Sequence, residues 1–198
     1  DRTVPTVAEL PSFFSEWFTN GLTYREDSEQ GKMTGKLVER SSLIQMLWDR
    51  GEANGYAHRM TTNPLPNTPS HEVLLNVAFG DHQVTTFAAD TEARTIGASA
   101  HAPVVGDGRW PGVDPLWNIP RITSYPHTGS AIVYWDSGPI RDNPNSADPD
   151  DLWGTDPPPL TNTPNRSGDD PHSRPRATLQ EQQMVSTFLR PNASSLIN

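Results

Sequence analysis

Residues 73–81 read Val-Leu-Leu-Asn-Val-Ala-Phe-Gly-Asp, and this stretch decides how the rest of the chain is interpreted. The run is short, almost continuously apolar and rich in residues that favour strands. It therefore predicts a strand that is buried on both faces, as in a parallel sheet. After a polar turn, residues 85–96 predict a helix that ends at Gly97. Strand, turn and helix together form one step of a βαβ unit.

Two further elements extend this unit. Residues 130–135, Ser-Ala-Ile-Val-Tyr-Trp, predict a second strand, and residues 175–190 predict a terminal helix with Pro175 in its first turn. Between them, residues 139–174 are dominated by Pro, Asp, Asn, Ser and Gly, which predicts a long acidic, Pro-rich loop that buries little. The order of elements predicts an α/β fold with a mostly parallel sheet and helices on both of its faces.

The 198 residues are interpreted as one domain, or as part of a larger one, with residues 1–35 as an N-terminal helical, lid-like segment. With 15 Lys and Arg against 24 Asp and Glu, the formal net charge is −9, which argues against nucleic acid as a partner. Because the chain has no Cys, it has no disulfide, thiolate zinc site or Cys nucleophile. No apolar run approaches the length of about 18 residues that a membrane-spanning helix needs.

The strand order points to a site at one edge of the sheet. Asp81 follows the first strand, and His172 lies in the loop beyond the second. In open α/β sheets, sites lie outside the carboxyl ends of the strands. The open alternatives are that Asp81 caps the following helix, that His172 is an exposed loop residue, and that His127 is the base.

Residues 73–84 and the sequence Asp169-Asp170-Pro171-His172, followed by an amphipathic helix, resemble the C-terminal half of α/β-hydrolase-fold proteins, among them large uncharacterised bacterial secreted proteins. In that fold the order along the chain is nucleophile, acid, then His. The resemblance implies a serine esterase-like or amidase-like activity in which Asp81 orients the imidazole and His172 is the general base. It also implies a secreted or cell-surface protein.

The nucleophile elbow of that family, G-x-S-x-G, does not occur in these residues. The chain is therefore expected to be the C-terminal portion of a longer protein. The nucleophile would lie on a preceding segment, or on a separate chain produced by cleavage before Asp1. The alternative is a non-catalytic extracellular interaction or assembly module on the same scaffold.

Other candidate residues complete the predictions. We expect His82, Trp48 and Tyr56 to line the substrate cleft, with a structural role for His82 and a plain helix terminus at residues 48–56 as the alternatives. Hard oxygen ligands at Asp148, Asp150 and Asp151 make a weak Ca²⁺ candidate, against the alternative of a solvated acidic loop. The six His residues form no H-x-H or H-E-x-x-H pair, so no other metal and no organic cofactor is expected.

Overall fold

The computed structural model describes residues 46, 51, 53–106, 108–110, 116–159, 165–190 and 196–197. The chain divides into two units, Asp1–Gly55 and Tyr56–Asn198, and the sheet belongs to the second unit. The predicted lid-like segment 1–35 and Trp48 lie outside the described residues.

The described elements follow the predicted order of strand, helix, strand and terminal helices. In chain order they are α1 (Ala53–Tyr56), α2 (His58–Thr61), β1 (Leu74–Ala78), α3 (Thr86–Ile96), β2 (Ser99–Ala100), β3 (His127–Thr128), β4 (Ala131–Trp135), β5 (Arg141–Asp142), β6 (Leu152–Trp153), α4 (Arg174–Ala177), α5 (Leu179–Phe188) and β7 (Leu196–Ile197).

The main sheet has the strand order β1-β4-β2, and both pairs of neighbours are parallel. The register of β1 and β4 runs from Leu74 opposite Ala131 to Ala78 opposite Trp135. Two smaller antiparallel pairs, β3 with β7 and β5 with β6, are not hydrogen-bonded to this sheet as strands. The prediction of an α/β fold with a mostly parallel sheet is confirmed.

Alternate side chains of β4 enter two separate cores, as the pleat of a strand requires. Ile132 and Tyr134 pack in one cluster, which also contains Ile96 of α3. Ala131 and Val133 pack in the other, which contains Phe188 of α5. Helices α3 and α5 therefore cover opposite faces of β4.

Helix α3 begins and ends as its sequence predicts. The Thr85 side chain accepts a hydrogen bond from the backbone N–H of Phe87 at its start. Gly97 ends the helix at φ 72°, a left-handed conformation that costs glycine little.

The terminal helix is not continuous, as the sequence had suggested, but consists of α4 and α5. The break lies at Thr178, whose backbone is extended at ψ 140° and whose hydroxyl accepts from the backbone N–H of Glu181. A threonine hydroxyl stabilises a new helix start in this way. Met184, Val185 and Phe188, which are among the apolar residues on which the helix was predicted, all lie in α5, so periodicity gave no sign of a break at Thr178.

A buried polar pair joins α3 to β4. Tyr134 Oη donates to Asp90 Oδ1 at 2.5 Å, and Asp90 is only 6% exposed. Burial raises the pKa of Asp90 to about 6, although the Tyr134 hydrogen bond and nearby Arg94 oppose the shift. The same burial and the Asp90 charge raise the pKa of Tyr134.

Residues 139–174 are mostly irregular, and most of those that the structure describes are half-buried or exposed, in line with the expectation that this segment buries little. A few of its residues are nevertheless buried. Thr155 and Pro171 are fully buried and Asn165 is 5% exposed. Gly154 adopts φ 80°, and a Cβ at this position would lie 2.2 Å from the Pro139 carbonyl oxygen. This segment is held by polar side chains bonded to backbone groups rather than by an apolar face, so its hydrophobic composition gave no sign of its packing.

Candidate functional site

The structure brings Asp81 and His172 together. His172 Nδ1 lies 2.8 Å from Asp81 Oδ2, although 91 positions of chain separate the two residues. Because a carboxylate can only accept, Nδ1 carries the proton, and the lone pair of a neutral imidazole is then on Nε2. The His172 side chain is 30% exposed and that of Asp81 is 9% exposed. No described residue makes a hydrogen bond to Nε2.

Each carboxylate oxygen of Asp81 has a separate role. Oδ1 accepts from the backbone N–H groups of Gln83 at 2.7 Å and Val84 at 3.0 Å, which closes the turn after β1. Oδ2 is left to accept from His172. The alternative that Asp81 caps the next helix is wrong, since Thr85 is the N-cap of α3.

Asp170 ties the His172 loop to the Asp81 turn. Its Oδ1 accepts from the backbone N–H of His172 at 3.0 Å and of His82 at 3.4 Å, and its Oδ2 accepts from Gln83 Nε2 at 2.7 Å. Burial alone would raise the pKa of Asp170, but these hydrogen bonds lower it overall. This role of Asp170 was not predicted from the sequence, although Asp170 lies in the motif that contains His172.

Thr155 joins the same two loops from inside the protein. Its Oγ1 lies 3.3 Å from the carbonyl oxygens of Gly80 and Ser167, and it accepts from Asn165 Nδ2 at 3.1 Å. Gly80 immediately precedes Asp81. The Thr155 hydroxyl therefore fixes the end of β1 against the loop that leads to His172.

A guanidinium group links this loop to the end of the neighbouring strand β4. Arg109 Nε and Nη2 donate to the two carboxylate oxygens of Asp136, which follows β4, at 2.8 and 2.7 Å. Nη2 also donates to the carbonyl oxygens of Gly138 at 3.0 Å and Thr155 at 2.8 Å. The hydrogen bonds to Asp136 raise the pKa of Arg109. The sequence does show an Asp after each of the two main strands, but no pattern in it links Arg109 to Asp136.

A cavity of about 320 Å³ adjoins the Asp–His pair. Asp81 and His172 form part of its wall. The other lining residues come from β1, from the start of α3 and from the segment that contains α4 and α5: Asn76, Val77, Ala78, Val84, Thr85, Ala89, Pro175, Arg176 and Glu181. Most of the cavity surface is apolar, although six of its eleven lining residues are polar or charged.

The other predicted cleft residues do not gather there. His82 Nε2 lies 3.3 Å from Thr155 Oγ1, and His82 does not line the cavity, so its placement is that of a structural residue. Tyr56 is 46% exposed and does not line the cavity either. His127, the rival base, pairs with Ile197 through β3 and β7 and makes no contact with Asp81.

The weak Ca²⁺ candidate is not supported. Within the described part of the chain, no three His, Asp or Glu side chains are grouped so that they could hold a metal ion. Asp148 instead accepts from the backbone N–H of Asp150 at 3.0 Å, and Asp151 accepts from Asn143 Nδ2 at 2.9 Å. These carboxylates stabilise loop structure.

The fold and the site define a parallel α/β unit that carries an Asp–His pair at the carboxyl edge of its sheet. Comparison of the chain with protein-family models, with curated proteins and with solved structures gave no match. None of the helices among the described residues has the length and apolar character needed to cross a membrane.

Proposed function

We propose that the chain is the C-terminal portion of a Ser-dependent α/β-hydrolase that cleaves an ester or amide by acyl transfer. It supplies the acid, Asp81, and the base, His172, while the nucleophile lies on a preceding segment or chain. The observation that carries this proposal is the 2.8 Å contact between His172 Nδ1 and Asp81 Oδ2 at the edge of a parallel sheet.

The pair has the chemistry that such a reaction needs. A serine hydroxyl within reach of His172 Nε2 passes its proton to that nitrogen as Oγ attacks the substrate carbonyl. His172 then returns the proton to the leaving alcohol or amine, and a water molecule repeats the cycle to release the acid. Asp81 holds the imidazole in one tautomer and stabilises the imidazolium through Nδ1–H.

The free edge of β1 supports a nucleophile supplied by another segment. The Val73 carbonyl and the Phe79 N–H both bond to β4, so alternate residues face β4 and the backbone groups of Leu74, Asn76 and Ala78 point away from it. No strand among the described residues pairs with that edge. A parallel strand added there would end beside Asp81.

The proposal is tested in the longer precursor that it requires. A fluorophosphonate probe should label a serine outside this chain, and short acyl esters should be hydrolysed. Asp81→Asn and His172→Ala should each lower kcat/KM by roughly 10⁴-fold, as removal of triad members does elsewhere. His127→Ala is the control, since His127 makes no contact with Asp81. Unchanged turnover in both site variants would refute the assignment.

The competing hypothesis is the non-catalytic extracellular module. It predicts no labelling, no hydrolysis, and a preceding segment without the sequence strand, G-x-S-x-G, helix. The setting proposed in both cases is secreted or at the cell surface, by the resemblance of residues 73–84 and 169–172.

A further inference from the structure

The cavity beside Asp81 and His172 contains an unpaired carboxylate. Glu181 lies in the first turn of α5, lines the cavity and is only 9% exposed. Its backbone N–H is bonded to Thr178 Oγ1 at 3.3 Å. Among the described residues, however, nothing forms a hydrogen bond or an ion pair with its side chain.

The Glu181 carboxylate has no donor among the described residues, and its oxygens are not among the completely buried side-chain atoms, so they open toward the cavity. The nearest candidate cation by sequence, Arg176, lines the same cavity but forms no ion pair with Glu181. Arg176 is exposed and its Nη2 donates to Ser173 Oγ at 3.0 Å. The Glu181 oxygens therefore remain available to a molecule that enters the cavity.

The walls of the cavity favour a small amphipathic ligand. Val77, Ala78, Val84 and Ala89 present apolar surface, and the volume of about 320 Å³ is within the range of small-molecule sites. A charged acceptor against apolar walls is satisfied best by a charged donor, since a neutral hydroxyl leaves the carboxylate charge uncompensated.

We propose that Glu181 binds the protonated amine of a small ligand whose apolar part fills this cavity. For the hydrolase, the preferred substrate is then an ester or amide that carries a protonated amine near the bond that is cleaved. This second statement rests on the proposed function, whereas amine binding does not.

The test is a titration of the 198-residue chain, labelled with ¹³C at the Glu carboxyl carbons and the Ala methyl groups, with n-butylammonium chloride. Butylammonium should shift the Glu181 carboxyl resonance and the methyl resonances of Ala78 and Ala89 in a saturable way. Glu181→Gln should weaken this binding by about tenfold or more, the effect of one charge-assisted hydrogen bond. Glu92→Gln is the matched control, since Glu92 lies on α3 away from the cavity, and it should leave the affinity unchanged.

Neutral n-butanol, with the same apolar chain, separates amine recognition from simple filling of the cavity. Equal binding of butanol and butylammonium, unchanged affinity in the Glu181→Gln variant, or no saturable shift would each overturn the proposal. Butylammonium that binds the isolated chain but not the precursor would also overturn it and assign Glu181 to a contact between segments.

The failure of this proposal and that of the hydrolase are distinguishable, because amine binding is measured without turnover. A precursor that hydrolyses nothing refutes the hydrolase and leaves amine binding intact. If both proposals hold, an amino-acyl ester should show a higher kcat/KM than its uncharged isostere. The Glu181→Gln variant should lose that preference.

Discussion

Removal of the Thr155 hydroxyl tests whether the loop that leads to His172 is truly packed against the end of β1. Thr155→Val keeps the shape of the side chain but removes its hydroxyl, which is completely buried. The lost contacts are the hydrogen bond donated to one of two carbonyl oxygens at 3.3 Å, the one accepted from Asn165 Nδ2 at 3.1 Å, and the contact with His82 Nε2 at 3.3 Å. Asn165 Nδ2 keeps a second acceptor, the Asp156 carbonyl at 2.6 Å.

Two or three buried hydrogen bonds of about 0.5–1.5 kcal/mol each give an expected loss of about 1–4.5 kcal/mol in the free energy of unfolding. Urea denaturation at pH 7 measures this loss, with an unchanged m-value as the check that only stability has changed. Thr95→Val is the matched control: Thr95 is exposed on α3 and its hydroxyl donates only to the Thr91 carbonyl. The control should stay within about 0.5 kcal/mol of the parent. Equal effects of the two substitutions would show that the loop is not held by Thr155.

Two further predictions concern the carboxylates of the fold. Asp170→Ala removes the acceptor of the His172 N–H and should destabilise the chain by about 1–2 kcal/mol, a value reduced because Asp170 is only half-buried. The Nδ1 proton of His172 should also exchange faster with water, as measured by NMR. Asp150→Ala, in the exposed loop, is the control and should change neither the stability nor this exchange rate. An unaltered exchange rate in Asp170→Ala would contradict the positioning role of Asp170. The second prediction concerns pH. Burial raises the pKa of Asp90 from its ordinary value of 3.8 to about 6, so the native state binds this proton more tightly than the unfolded state does. The contribution of Asp90 to stability is therefore lost as the pH rises from about 4 to about 6. Asp90→Asn should remove this loss. In urea titrations, the free energy of unfolding of the variant minus that of the parent should rise by at most about 3 kcal/mol between pH 4 and pH 7.5. A difference that does not vary with pH would refute the assigned shift.

Local patterns in the sequence were enough to predict two of the three strands of the main sheet, but not the short strand β2. The apolar run before Gly80, the helix ended by Gly97 and the second strand ending at Trp135 all have short-range causes: burial on two faces, capping, and the left-handed conformation of glycine. The contact between Asp81 and His172 was also within reach, because the carboxyl ends of neighbouring parallel strands meet at one edge of the sheet.

The supporting contacts could not be predicted in the same way. Thr155, Asp170 and Arg109 act through hydrogen bonds to backbone groups that are distant in sequence, and such bonds leave no periodic trace. The unpaired carboxylate of Glu181 was equally invisible, since on a helix a glutamate usually belongs to the solvent-exposed face. The same holds for His82, which was expected to line the cleft. Its Nε2 instead contacts the hydroxyl of the buried Thr155.

The 91-residue separation of Asp81 and His172 has a consequence for how the chain folds. Strand β1 and helix α3 are neighbours in sequence and can form at little cost in chain entropy, whereas the acid–imidazole contact must close a loop that contains most of the remaining domain. We therefore expect that contact to form late, after β4 has paired and the loop behind it has condensed. The imidazole resonance of His172 thus reports on completion of the whole unit, and a chain shortened before residue 172 would keep the early elements while lacking the step that completes the site.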